Sequence, residues 1–406
     1  MAGPLSGIRV LDLSRILAGP WCTQVLADLG AEIIKVERPG SGDDTRSWGP
    51  PFVRRPDGTD TSDSAYFMAT NRGKKSVTLN IASAEGQQMV RSLSASCDVI
   101  VENYKFGDMK RYGLDYESLA ALNQRLVYCS ITGFGQTGPY RERAGYDFMI
   151  QAMGGLMSVT GERDDLPGGG PQKCGVPIAD MMTGMYSVTA IVAALFERAG
   201  SGRGQYIDMS LLDTQVSWLA NQSLNYLVSG EIPKRWGNAH PNLTPYQAFA
   251  TLDGDLILAI GNDGQFRRFC EVAGLTIATE PRFADNRSRL ANRDALVAII
   301  ARAMKGRSTA GWMAALEPAG VPCGPINTID QVFRDPQVVA RGLQFALPHP
   351  QAGSVPQVGN PIQFSRSRIE YRSAPPVLGE HTAQILDELL GLAPGEIASL
   401  KDRDIV

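Results

Sequence analysis

Short apolar runs alternate with helix-length segments through the first third of this 406-residue chain. That alternation restricts the chain to a parallel sheet covered by helices on both faces. Residues 8–13 (IRVLDL) read as a buried strand, and 21–29 fit a helix after the Gly19-Pro20 break. Gly30 is a natural helix stop before the next strand at 31–37 (AEIIKVE). The pattern repeats with a strand at 76–81, a helix at 83–96, a strand at 98–101, a helix around 116–122 and a strand at 126–131. The expected fold is a doubly wound, Rossmann-like α/β large domain. A long helix follows at 181–198, where Met185, Val188, Val192 and Leu195 recur at helical spacing. A short strand at 206–209 then leads into a helix starting at Ser210, with Asp213 as its capping-box partner. The segment 230–245 is rich in Pro, Gly and Asn. Residues 1–225 are therefore expected to form the first part of the large domain, 226–245 a linker and 246–325 a smaller α+β domain. Residues 326–406 are expected to supply a linker and the rest of the large domain, ending in a helix at 381–390.

Composition narrows the chemistry. The three histidines (His240, His349, His381) lie far apart and match no metal-ligand spacing, so no metal is expected. Six scattered cysteines without a CxxC pair suit a reducing, cytoplasmic setting. With 39 basic against 42 acidic residues there is no nucleic-acid footprint. The longest apolar run, 188–196, falls short of the ~20 residues a membrane span needs, and Arg9, Asp12 and Arg15 interrupt any leader-like N-terminus.

Several positions are candidates for function. Gly133 to Gly138 match GxGxxG after a strand, but Pro139 and the charged run 140–143 fit a turn better than the helix a dinucleotide site needs. Asp180 precedes the long helix, either as an ordinary N-cap or as a reactive carboxylate at the positive end of the helix dipole. Arg38 and Arg46 follow the second strand, where α/β proteins bind ligands, and either grip an anion or pair with neighbouring acids. Lys74 and Lys75 leave the same two readings open, and Asn103 follows another strand. Arg235, Trp236 and His240 cluster in the linker.

The segments 4–12 (PLSGIRVLD), 17–20 (LAGP), 30–32 (GAE), 38–40 (RPG), 98–103 (DVIVEN), 175–184, 202–205 (GRGQ) and 376–382 (PVLGEHT), in that order, resemble the class III CoA-transferases of the formyl-CoA transferase and carnitine CoA-transferase type. The resemblance implies that Asp180 attacks a donor thioester, passes through a mixed anhydride and carries CoA as an aspartyl thioester. It implies CoA contacts at Leu17, Ala18, Arg38, Leu79, Asn80, Ile81, Ala82, Asn103, Tyr104, Lys105, Arg111, Arg143, Ala144, Gly145 and Tyr146. CoA is then a substrate, with no tightly bound cofactor, and the chain pairs into an interlocked, ring-like homodimer.

Leu17 stands where formyl-CoA transferase has a glutamine, and 244–247 (TPYQ) replace that enzyme's tetraglycine loop, which argues against formate and oxalate as substrates. The related α-methylacyl-CoA racemases place a histidine where this chain has Tyr146, a poor base at neutral pH. The segments 42–52 (GDDTRSWGPPF), 235–237 (RWG) and 245–249 (PYQAF) resemble members that move CoA from succinyl-CoA to a short dicarboxylate such as glutarate. Relatives using sulfinopropionate, malate or itaconate look similar. Arg46 is the expected ligand of the acceptor's free carboxylate, with Trp48 and His240 as further substrate contacts.

Overall fold

Six strands pair entirely in parallel: β1 (Arg9–Asp12), β2 (Glu32–Glu37), β3 (Lys74–Thr78), β4 (Val99–Glu102), β5 (Val127–Thr132) and β6 (Tyr206–Ser210). Their order across the sheet is β3-β2-β1-β4-β5-β6, the doubly wound arrangement that the sequence pattern predicts. These facts come from a computed structural model that describes residues 2–406.

Alternate residues of each strand face opposite sides, so one sheet feeds two cores. Val10, Ile33, Val99, Val101 and Val127 pack with α1 (Ala18–Asp28) and with the long helix Ile178–Ser201. Leu11, Ile34, Val77, Ile100 and Tyr128 pack with α2 (Ala84–Ala95) and with residues near the C-terminus. Those last residues come from two helices, Thr382–Leu390 and Pro394–Asp402, and from the chain end at Ile405 and Val406; the second helix lies beyond the single final helix expected at 381–390. They are tied to the sheet where Thr78 N–H donates to Thr382 Oγ1 at 3.0 Å and Asn80 N–H to the Ile405 carbonyl at 2.8 Å.

The chain divides into two compact units. The first takes residues 2–156, 174–223 and 337–406, the second 157–173 and 224–336. The expected breaks at 225/226 and 325/326 thus fall at 223/224 and 336/337. Helix Ala220–Ser229 occupies the start of the expected linker. Residues 157–173 join the second unit because Gly237 N–H donates to the Gly161 carbonyl and the Arg235 guanidinium pairs with Asp164. That unit carries a three-stranded antiparallel sheet of β7 (Tyr246–Ala250), β8 (Asp255–Ala259) and β9 (Cys323–Pro325). Its core is built on Phe249, Leu258, Phe266, Phe269 and Trp312.

Two further helices complete the frame of the site: α3 (Asp147–Met153) and α4 (Ile178–Ser201). By length and composition the 24-residue α4 is long and apolar enough to cross a membrane, so the whole helix is longer and more apolar than the 188–196 run suggested. Thr183, Gly184, Ser187, Val188 and Ile191 form its buried stripe, and its most extensive packing is against α1. A Cβ on Gly184 would lie 2.7 Å from the Ala18 carbonyl oxygen, so only glycine permits this crossing.

Candidate active site

The carboxyl ends of β1 and β4 lie side by side where the strand order reverses, and such a switch point opens a crevice. Asn103 bridges it: its side chain accepts from Arg15 N–H at 2.8 Å and donates to the Arg15 carbonyl at 2.7 Å. Beside this clamp a cleft is lined by Arg38, Leu79, Asn80, Ile81, Ala82, Tyr104 and Tyr112. The structure therefore gathers most of one expected group of CoA contacts. Arg38 is exposed and makes no ion pair among the described residues. Arg111 stacks on Tyr112, its guanidinium carbon 4.9 Å from the ring centre. Lys105 lines an adjoining cleft with Tyr116, Tyr206 and Glu102, whose carboxyl burial pushes up to about 7.

The remaining expected contacts lie on two segments, the start of α1 and the stretch before α3. Leu17 and Ala18 open α1, and Ala18 touches α4 at Gly184, four residues beyond Asp180. Arg143 lies over the rings of Tyr140 and Phe134, at 4.6 and 5.7 Å. Gly145 meets Gly133 so closely that a Cβ on either would lie 2.5 Å from the other's Cα. The glycines of the 133–138 segment serve this contact, and no helix follows them before α3. Ala144 precedes that glycine, and Tyr146, 64% exposed, is the N-cap residue of α3.

Asp180 is not the N-cap. It is the third residue of α4, partly buried, and the N-cap position falls on Pro177, which supplies no side-chain cap. The cap comes instead from Asp147. Its Oδ2 accepts from Ala179 N–H at 2.8 Å and from Asp180 N–H at 3.2 Å. Burial, with the Asp147 charge added, pushes the Asp180 carboxyl up to about 7. Tyr66 senses the same charge: burial and then Asp180 raise its phenol to about 12. Trp48 meets Tyr66 edge-on at 5.3 Å, which brings the expected Trp48 toward Asp180. The sequence carried no signal for Tyr66. For Asp147 the sequence reading offered no such role, because it left Asp180 itself as the possible cap of the long helix.

Arg46 does not match its expected role. It is 4% exposed, and its Nε and Nη2 bind both oxygens of Glu37 at 2.8 and 2.7 Å. Its Nη1 binds Asp63 at 2.7 Å, and Nη2 also reaches the Pro376 carbonyl at 3.1 Å. The Phe67 ring lies 3.7 Å from its guanidinium carbon. Four contacts on a buried guanidinium leave it closed to a substrate carboxylate; it braces the loop that carries Trp48. Lys74 is similarly engaged by Asp12 and Asn71, and Lys75 by Glu32. His240 belongs to the second unit. Its Nδ1 accepts from Asn242 N–H, and burial followed by the nearby Arg293 lowers its pKa. Among the described residues no three His, Cys, Asp or Glu side chains gather to hold a metal.

A doubly wound sheet with a strand-end cleft and a buried carboxylate at a helix start defines a class of α/β enzymes rather than one activity. Comparison with known proteins narrows it. The family model described as CoA-transferase family III matches residues 5–382. The succinate–glutarate CoA-transferase of Agrobacterium fabrum is 52% identical over 95% of this chain and 96% of its own. The human succinyl-CoA:glutarate CoA-transferase is 42% identical over 99% and 90%. Among solved structures, a CAIB/BAIF family protein from Brucella suis superposes with a TM-score of 0.84 at 52% identity, covering 96% of this chain and all of that one. A Mycobacterium tuberculosis protein gives 0.80 at 29% identity, covering 94% and 99%. The chain belongs to CoA-transferase family III.

Proposed function

We propose that this enzyme moves CoA from succinyl-CoA to a short dicarboxylate such as glutarate, with Asp180 as the covalent carrier. The observation that carries the reading is a partly buried carboxylate that no cation neutralises, in a chain 52% identical to a succinate–glutarate CoA-transferase. Such a carboxylate is weakly solvated and therefore nucleophilic when ionised. Its oxygen attacks the thioester carbonyl, the C–S bond breaks, and CoA leaves as thiolate from a mixed anhydride. The thiolate then attacks the Asp180 carbonyl, releasing the donor acid and forming an aspartyl thioester. An acceptor carboxylate displaces CoA to give a second anhydride, and the thiolate takes the acceptor's acyl carbon, which frees Asp180. No proton or electron is left over.

In this reading CoA lies along the cleft of Arg38, 79–82 and Tyr104, with Arg38 toward a phosphate. The protein works as an interlocked homodimer. Support for pairing is the outer face of α4, where Tyr186, Val192 and Phe196 are exposed.

The test is succinyl-CoA with a panel of carboxylic acids, read by the mass of each new thioester. Glutaryl-CoA should form fastest among the products, and no dicarboxyl-CoA at all would reject the assignment. Asp180→Asn should lower turnover by at least about a thousandfold while still binding CoA, and hydroxylamine should trap Asp180 as its hydroxamate during turnover.

A further inference from the structure

The first turn of α4 presents four N–H groups, and every one is already engaged. Ile178 N–H donates to the Val176 carbonyl at 2.8 Å and Met181 N–H to Pro177 at 3.1 Å. Ala179 and Asp180 donate to the single oxygen Oδ2 of Asp147. A helix start normally draws an anionic ligand onto such donors. Here the protein supplies the anion itself, and it lies beside the proposed nucleophile.

We infer that Asp147 is the positioning residue of Asp180, fixing its backbone through the two N–H bonds and restraining its ionisation through its own charge. Asp147 is held for this task from both ends. It begins α3, so its backbone is set by that helix, and its Oδ1 accepts from Gln151 Nε2 at 2.6 Å. Gln151 is fully buried, and its Oε1 accepts from Cys174 N–H at 2.9 Å, which ties down the loop leading into α4. An acid, an amide and three backbone N–H groups thus form one chain from α3 to the nucleophile.

The charge acts separately from the geometry. The elements packed on α4 bring titratable side chains at Cys22 and Asp28 (α1), Asp147 (α3), Tyr128 and Cys129 (β5) and Tyr206 and Asp208 (β6), and the following helix brings Asp213. Of these only Asp147 bears on the ionisation of Asp180, and no Lys or Arg offsets it; Tyr66 also faces Asp180 but stays neutral. Two carboxylates joined through one helix turn resist ionising together. Because the helix donors are occupied, the oxyanions of the reaction must also be held by groups other than the start of α4.

The inference rests on Asp180 being the nucleophile, and the experiment separates the two. Pre-steady-state release of CoA from succinyl-CoA is followed from pH 5 to 9 in the full-length protein. In the wild type the rate should rise through about pH 7, where Asp180 ionises. Asp147→Asn keeps an oxygen for both N–H groups but removes the charge. It should move the midpoint down by about one unit, giving close to tenfold faster release at pH 5.5. Asp147→Ala loses both effects and should be at least about tenfold slower at pH 9, where Asp180 is ionised in every variant, with circular dichroism checking its fold. An unmoved midpoint in Asp147→Asn, or a full rate in folded Asp147→Ala, would overturn the inference. Release of CoA by Asp180→Asn would instead remove the reading beneath it.

Discussion

At Asp180 the demands of the proposed chemistry and of folding oppose each other. Its pKa of about 7 in the folded protein lies above the ordinary carboxyl value of 3.8, so the folded state holds a proton that the unfolded chain has lost between those values. Stability therefore falls as pH rises from about 4 to about 7, and the ionised group weakens the fold above that range. Asp180→Asn should raise stability by about 1–3 kcal/mol at pH 8, and by nothing at pH 4, in urea unfolding. An advantage independent of pH would mean that the carboxylate is not buried in its charged form. Arg46 has the opposite sign. Arg46→Ala strands Glu37 and Asp63 without their cation and should lower stability by about 3–5 kcal/mol. An unchanged melting temperature with a raised KM for glutarate alone would restore it as a substrate ligand. That Asp180 stands near the start of a long apolar helix was legible in the sequence. Its partners were not, because Asp147 lies 33 residues away and Tyr66 farther still. Arg46 was misread for the same reason: its acids Glu37 and Asp63 approach it only through the folded loop.

At the scale of elements, what could be read were repeating patterns. The six sheet strands are short apolar runs bounded by glycines and helices, and each was placed within a few residues. The antiparallel pairs Phe52–Arg54 with Asp60–Ser64 and Gln344–His349 with Gly353–Val358 escaped, because polar residues and prolines break any period of two. So did helix Pro394–Asp402, whose buried residue in the helix body is Leu400. Packing between elements was equally hidden in the sequence, and Gly184 shows why. Its role is defined by an α1 carbonyl oxygen that no local pattern announces. Gly184→Ala should cost about 1–3 kcal/mol, since backbone must move to admit the methyl group. Gly200→Ala, on the same helix with nothing within 4 Å of its Cβ, should be neutral or stabilising by up to about 1 kcal/mol. The contrast, measured by thermal unfolding of both variants, separates a crossing-point requirement from ordinary helix propensity. Gly184→Ala should also slow CoA release, because Asp180 stands one turn away on the same rigid helix.

For the molecule as a whole, α4 is where sequence and single-chain structure part. A helix apolar all round belongs inside a core or a membrane. In α4 one stripe is buried against α1, β5 and β6, while Phe196 remains 85% exposed and Val192 38%. Single exposed apolar residues are ordinary, but a row of them on the helix that carries the proposed nucleophile calls for a cover. The proposed homodimer supplies one, and the side chains at 192 and 196, four apart, share a face that a second copy can bury. Phe196→Asp places a charge in that contact. Sedimentation velocity at micromolar concentration should show the wild type as a dimer and this variant shifted toward monomer, with Asp180 chemistry reduced wherever α4 loses its support. A wild type that sediments as a monomer yet co-floats with lipid vesicles would assign the outer face of α4 to a bilayer instead and reject the dimer.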